Sequence, residues 1–139
     1  MADGNGLKIA SRANYQRDTY VFSFNSGSAS THDLEIGDSG KTYLTHCTFA
    51  RTINLPAPAT GASYKFIVTN STVASTINCE STQLYGVYTD AEGVTAVSGS
   101  TTVNINTAAA LGDWLEFLSD GNNWYVRGQC AADNGFTVG

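Results

Sequence analysis

The sequence predicts an all-β protein, an antiparallel β-sandwich of jelly-roll-like type, and three observations carry that prediction. Apolar residues recur with period two in several short runs. Turn-forming clusters separate those runs at intervals of roughly eight to twelve residues, the spacing of a sandwich or barrel. Ser, Thr, Gly and Asn are abundant while charged residues make up only 14% of the chain, which suits strands and turns better than helices. At 139 residues the chain has the length of one domain, able to bury roughly two-thirds of its unfolded surface around a single core.

Taken in order, residues 1–16 lack sustained alternation and apolar density, so they are expected to form an extended arm that precedes a sandwich domain over 17–139. In the domain, Tyr20, Phe22 and Phe24 alternate with Val21 and Ser23, and Tyr64, Phe66 and Val68 alternate with Lys65 and Ile67. Val73, Ile77 and Cys79 share parity, and Val103 and Ile105 alternate with Thr102, Asn104 and Asn106. Turn clusters fall between them, at NSGSAST, GDSG, PAPATG, NST, DAEG and SGS. The one helical hint, Thr107 to Leu111, is too short for more than a turn. The segment GDWLEFLSDGNNWYVRG from Gly112 to Gly128 reads as a hairpin turning at Asp120-Gly121. Leu115, Phe117, Trp124 and Val126 are expected to face the core, Glu116 and Arg127 to face water or each other, and Trp114 to point away from the core.

Composition excludes several functions. The net charge is −5 and the seven basic residues are scattered, which argues against nucleic acid, whose binding rests on clustered Lys and Arg. Residues 1–17 nevertheless carry Lys8, Arg12 and Arg17 against Asp3 alone, opposite in sign to the rest. No run is apolar enough to cross a membrane, and the first residues show no secretory pattern, so synthesis in a cytosol is expected. Cys47, Cys79 and Cys130 form no C-x-x-C pair and read as small buried hydrophobes. No G-x-S-x-G elbow or phosphate loop accompanies His32, expected in a polar loop, or His46, expected at a strand end. Asp113 with Glu116, and Asp90 with Glu92, read as solvated carboxylates, and Asn70-Ser71-Thr72 as a turn. The expectation is a protein without catalytic residues, cofactor or metal.

The run from Gly40 to Gly128, with SGKTYL, TINLPAPATGASYKFIV and GDWLEFLSDGNNWYVRG, resembles a pattern in virion proteins of tailed bacteriophages. Tyr43, Leu55, Pro56, Gly61, Phe66, Gly112, Asp113, Asp120, Gly121, Trp124 and Tyr125 carry the likeness, over about two-thirds of the chain. A short chain beginning at Met1 with a polar arm is most similar to capsid decoration, or cement, proteins. The resemblance implies a homotrimer on the outer surface of an expanded phage head, bridging subunits of the major capsid protein, in a virion and without nucleic acid or membrane as partner. Lys8, Arg12, Tyr15 and Arg17 are then the expected capsid contacts. The alternative is a carbohydrate-binding module of a phage fibre or exposed head protein. Trp114, Tyr85 and Tyr88 are expected either at subunit contacts or stacked on sugar rings.

Overall fold

The computed structural model describes residues 19–24, 30–47, 49–80 and 83–139. Among the described residues twelve strands form two sheets packed face to face: β1 (Thr19–Phe24), β2 (Ser30–Asp33), β3 (Lys41–Cys47), β4 (Arg51–Asn54), β5 (Ser63–Asn70), β6 (Ser75–Asn78), β7 (Leu84–Asp90), β8 (Gly93–Ser100), β9 (Thr102–Ile105), β10 (Trp114–Ser119), β11 (Trp124–Gln129) and β12 (Phe136–Val138). Sheet A has the order β1-β3-β5-β10-β11-β7-β8, and sheet B the order β12-β9-β6-β4-β2.

The expected all-β sandwich is present, but its pairing is mixed. Among the described residues five of the ten strand pairs are parallel: β1–β3, β3–β5, β2–β4, β4–β6 and β7–β11. The purely antiparallel pairing expected from the sequence is therefore not the one formed among β1 to β6, which pair with one another in parallel within each sheet. There the chain alternates between sheets, so that β1 with β2, β3 with β4, and β5 with β6 stack as three rungs of a coil. Thr19 pairs with Thr42 and Lys41 with Tyr64 in sheet A, while Ser30 pairs with Arg51 and Arg51 with Ser75 in sheet B. Period-two alternation says which side chains point inward but is blind to strand direction, which is why it did not reveal the parallel pairs.

Alternation does place the core. Tyr43, Tyr64, Phe66, Val68, Leu115, Phe117, Trp124 and Val126 of sheet A are buried against Ile53, Ile77, Val103, Ile105 and Phe136 of sheet B. Phe66 stacks on Tyr43 with centroids 5.5 Å apart and meets Phe117 edge-on at 5.8 Å. Such offset and edge-on geometries suit the ring quadrupoles. The β10–β11 hairpin has the expected inward set, with Glu116 and Arg127 paired outside at 2.6 Å. Its turn is held by Asp120, whose Oδ1 accepts from the backbone N–H of Asn122 and Asn123 at 2.9 and 2.8 Å, while Gly121 adopts φ +100°.

Several local readings change. Ile36–Asp38, which overlaps the GDSG cluster, forms a 3-10 turn, whereas residues 107–111 form hydrogen-bonded turns without a helix. His32 lies in β2 and not in a loop, since pairing with Ile53 extends sheet B to that strand. Asp113 is buried, not solvated: Oδ2 accepts from Ala110 N at 2.7 Å and Oδ1 from Ala131 N at 3.0 Å, so it pins the 107–113 loop to the segment that follows β11. Asn70 and Asp90 cap turns, accepting from Thr72 N and from Glu92 N and Gly93 N. Cys79 and Cys130 are free and buried, and burial pushes both thiols above their ordinary pKa.

Candidate functional site

The outward parity of sheet A builds a surface in three ladders. One runs Leu44–Ile67–Trp114–Gln129–Thr89–Val94, the next Thr42–Lys65–Glu116–Arg127–Val87–Ala96, and the third Ser63–Leu118–Tyr125–Tyr85–Ser98. The sheet bonds that fix the inner aromatic core therefore also fix which side chains stand together outside. On β10, β11, β7 and β8 the large exposed apolar and aromatic side chains are Leu118, Tyr125, Tyr85, Val87 and Val94, between 37% and 71% accessible, with Arg127, Gln129, Thr89 and Ser98 exposed among them.

Two glycines allow that surface to close up. Gly86 sits in β7 at φ +134°, and a Cβ there would collide with the Val126 carbonyl of β11. A Cβ on Gly128 would likewise meet the Trp114 carbonyl. Close backbone approach at these points draws β7, β11 and β10 together, and sets Tyr85 opposite Tyr125 with ring centroids 6.4 Å apart. The Tyr125 hydroxyl donates to Asp120 Oδ2 at 2.9 Å. Hydrogen bonds from Asn123 N, Asn122 N and this hydroxyl hold the Asp120 carboxyl below its ordinary pKa.

At the other end of the face Trp114 is half-buried, with Lys65 Nζ 5.0 Å from the ring centroid, a cation–π contact. Leu111, Gly112, Asp113, Trp114, Gln129 and Ala131 line a groove of about 290 Å³ beside it. Leu111, at 75% accessible, is the most exposed large apolar side chain described.

The residues singled out from the sequence separate accordingly. Trp114 and Tyr85 stand on this face, as an outward-pointing pair should. Tyr88 does not: it is 3% accessible, packs edge-on against Phe136 at 5.9 Å, and donates its hydroxyl to the Phe136 carbonyl at 3.0 Å. Tyr85 and Tyr88 lie three residues apart and so have opposite parity in β7: Tyr85, Val87 and Thr89 stand outside, while Leu84 and Tyr88 turn into the core. Tyr125 and Leu118 are face residues that single-strand reading left unassigned, and their alternation with Trp124 and Phe117 is the signal that identifies them. Lys8, Arg12, Tyr15 and Arg17, with the whole 1–16 arm, lie outside the described residues.

Reactive groups do not converge. Among the described residues no three His, Cys, Asp or Glu side chains lie close enough together to hold a metal ion. Asp113 and Glu116 project to opposite sides of sheet A, one buried and one paired with Arg127, so they share no site. No described helix is long and apolar enough to cross a membrane. Comparison of the chain with protein-family models, with curated proteins and with solved structures finds no match.

Proposed function

We propose that this chain is a surface-docking structural module, a decoration protein that binds the outside of an expanded tailed-phage head. The observation that supports the reading is the continuous apolar and aromatic patch Leu118–Tyr125–Tyr85–Val87–Val94, carried on the pleat of a rigid sheet. A contiguous patch of this kind on a soluble domain marks a surface that meets another macromolecule. Tyr side chains supply contact area at low entropic cost, and the Glu116–Arg127 pair gives the patch a polar border. The residues of the virion-protein likeness also meet in space, since the Trp124 indole donates to the Pro56 carbonyl at 3.1 Å and so ties the hairpin to the Leu-Pro loop.

The mechanism is linkage. A module that binds the expanded lattice and not its precursor stabilises the lattice by its own binding free energy. A cyclic homotrimer repeats the same contacts three times and raises effective concentration, so each can be weak. The 1–16 arm, with its basic residues, adds contacts to neighbouring capsid carboxylates. A second reading, glycan binding, draws on the exposed Tyr85–Tyr125 pair, whose rings could flank a sugar.

The test is co-sedimentation of the full chain with expanded and unexpanded heads, with light scattering of the free protein. The expected results are a trimer that pellets with expanded heads only, and loss of pelleting for Val87→Lys with an unchanged denaturation midpoint. A monomer that pellets equally with both head forms, or with neither, would refute the proposal.

A further inference from the structure

The opposite surface of the sandwich carries a different pattern. Four strands of sheet B contain the same tripeptide, Thr-x-Asn or Thr-x-Asp: Thr31-His32-Asp33, Thr52-Ile53-Asn54, Thr76-Ile77-Asn78 and Thr102-Val103-Asn104. Pairing sets them in register. One row across the outer face is Thr31–Thr52–Thr76–Asn104–Thr137, and the second is Asp33–Asn54–Asn78–Thr102. The middle residue of each tripeptide has core parity, and Ile53, Ile77 and Val103 are fully buried, so the flanking hydroxyls and amides must face outward.

The second row is ordered by its own hydrogen bonds. Asn78 Nδ2 donates to Asn54 Oδ1 at 3.0 Å, and Asn54 Nδ2 donates to Asp33 Oδ1 at 2.7 Å. In the first row Thr76 Oγ1 donates to Asn104 Oδ1 at 2.8 Å. At the end of the second row Asp33, Asn54, Asn78 and Glu80 line a groove of about 290 Å³ together with Leu55 and Pro56. One wall thus offers amide and carboxylate groups, and the other the half-buried ring of Pro56, with Leu55 beneath it in the core.

From this arrangement we infer that the outer face of sheet B binds a neutral polysaccharide laid across the strands. Strands recur about every 4.8 Å and the two rows stand about 7 Å apart, a regular grid of groups that both donate and accept. An extended glycan chain presents hydroxyls at a similar interval, each able to donate and accept in turn. Pro56, which is only half-buried, would meet the C–H face of a ring seated in the groove, while Asn54 and Asn78 bind its hydroxyls. Charge selects against acidic glycans: the face carries Asp33 and Glu80, and the described basic residues Lys41, Arg51, Lys65 and Arg127 all lie elsewhere. The inference does not rest on docking through sheet A, which uses the opposite surface.

The test uses the full chain in depletion binding to amorphous cellulose, chitin and insoluble mixed-linkage β-glucan, with carboxymethylcellulose as the acidic control. Retention on at least one neutral polymer, insensitive to salt and absent on the acidic control, is expected. The isosteric pair Thr52→Val and Thr76→Val should weaken it about tenfold, as loss of two neutral hydrogen bonds implies, with an unchanged denaturation midpoint. Asn54→Leu with Asn78→Leu gives a second route to the same loss, whereas Tyr85→Ala should leave retention intact. Lack of retention on every neutral polymer, retention of both double variants undiminished from that of the unsubstituted chain, or loss with Tyr85→Ala would overturn the inference. Thermal hysteresis without polymer binding would assign the grid to ice, and dimerisation abolished by Thr52→Lys would assign it to a second copy; either would overturn it too.

Discussion

Replacing Trp124 tests whether the hairpin is the keystone of the sandwich. Its ring is fully buried, lies 5.7 Å from Tyr64 and donates from Nε1 to the Pro56 carbonyl at 3.1 Å. A buried aromatic of this size covers roughly 150–250 Å², which at about 25 cal/mol per Å² corresponds to about 4–6 kcal/mol. Large-to-small substitutions at such positions cost about 3–5 kcal/mol because the cavity collapses only in part. The two routes meet near 4 kcal/mol, so with a urea m-value of about 2 kcal/mol/M the Trp124→Ala midpoint should fall by about 2 M. Trp124→Phe keeps most of the apolar contact but leaves the Pro56 carbonyl without its donor, a loss of about 1–3 kcal/mol. Urea unfolding followed by far-UV circular dichroism measures both. If Trp124→Ala shifts the midpoint by less than about 0.5 M, the ring does not hold the sheets together and the packing argument fails.

Two further outcomes follow from the backbone and from the titrating groups. Gly86→Ala should destabilise by about 3 kcal/mol or more, combining positive-φ strain with a clash against Val126. Gly93→Ala, at φ +132° with nothing within 4 Å, should show the strain alone; equal midpoints for the two variants would mean that β7 and β11 are not held so close. Stability should fall at both ends of the pH range. Asp38, through its hydrogen bond from Lys41, and Asp120, through its turn amides, are held below their ordinary 3.8, so their contribution is complete above that pH and is lost as pH falls through the lowered values. Tyr64 and Tyr88 are pushed above 10.0 by burial, so their contribution is complete below pH 10 and is lost as pH rises through the raised values. Denaturation midpoints across pH check both limbs: Lys41→Met should flatten the acid limb and Tyr64→Phe the alkaline one, and unchanged limbs would sink these assignments.

How much of this was legible in the chain differs from strand to strand. Local pattern sufficed for the inward residues of β5, β9, β10 and β11, because a strand buries alternate side chains whatever its neighbours are. It sufficed for the Asp120-Gly121 turn as well, where side-chain capping and positive φ are properties of a few adjacent residues. The docking face was legible only in part. Trp114 follows from the alternation of one strand, but the Tyr85–Tyr125 pairing depends on β7 lying beside β11, residues that are distant in sequence. Tyr88 was legible by the same rule, since it lies three residues from Tyr85 and the alternation that puts Tyr85 outside puts Tyr88 in the core. The Thr-x-Asn tripeptides were present as letters, yet their rungs are unevenly spaced, with Thr31, Thr52 and Thr76 opposed only through sheet pairing. The sequence by itself determined the all-β class and the identity of most core side chains, since these rest on short-range periodicity and turn chemistry. Only the tertiary structure decided strand direction, the rung stacking and the two outer faces, because hydrogen bonds between strands far apart in the chain choose which outward side chains become neighbours.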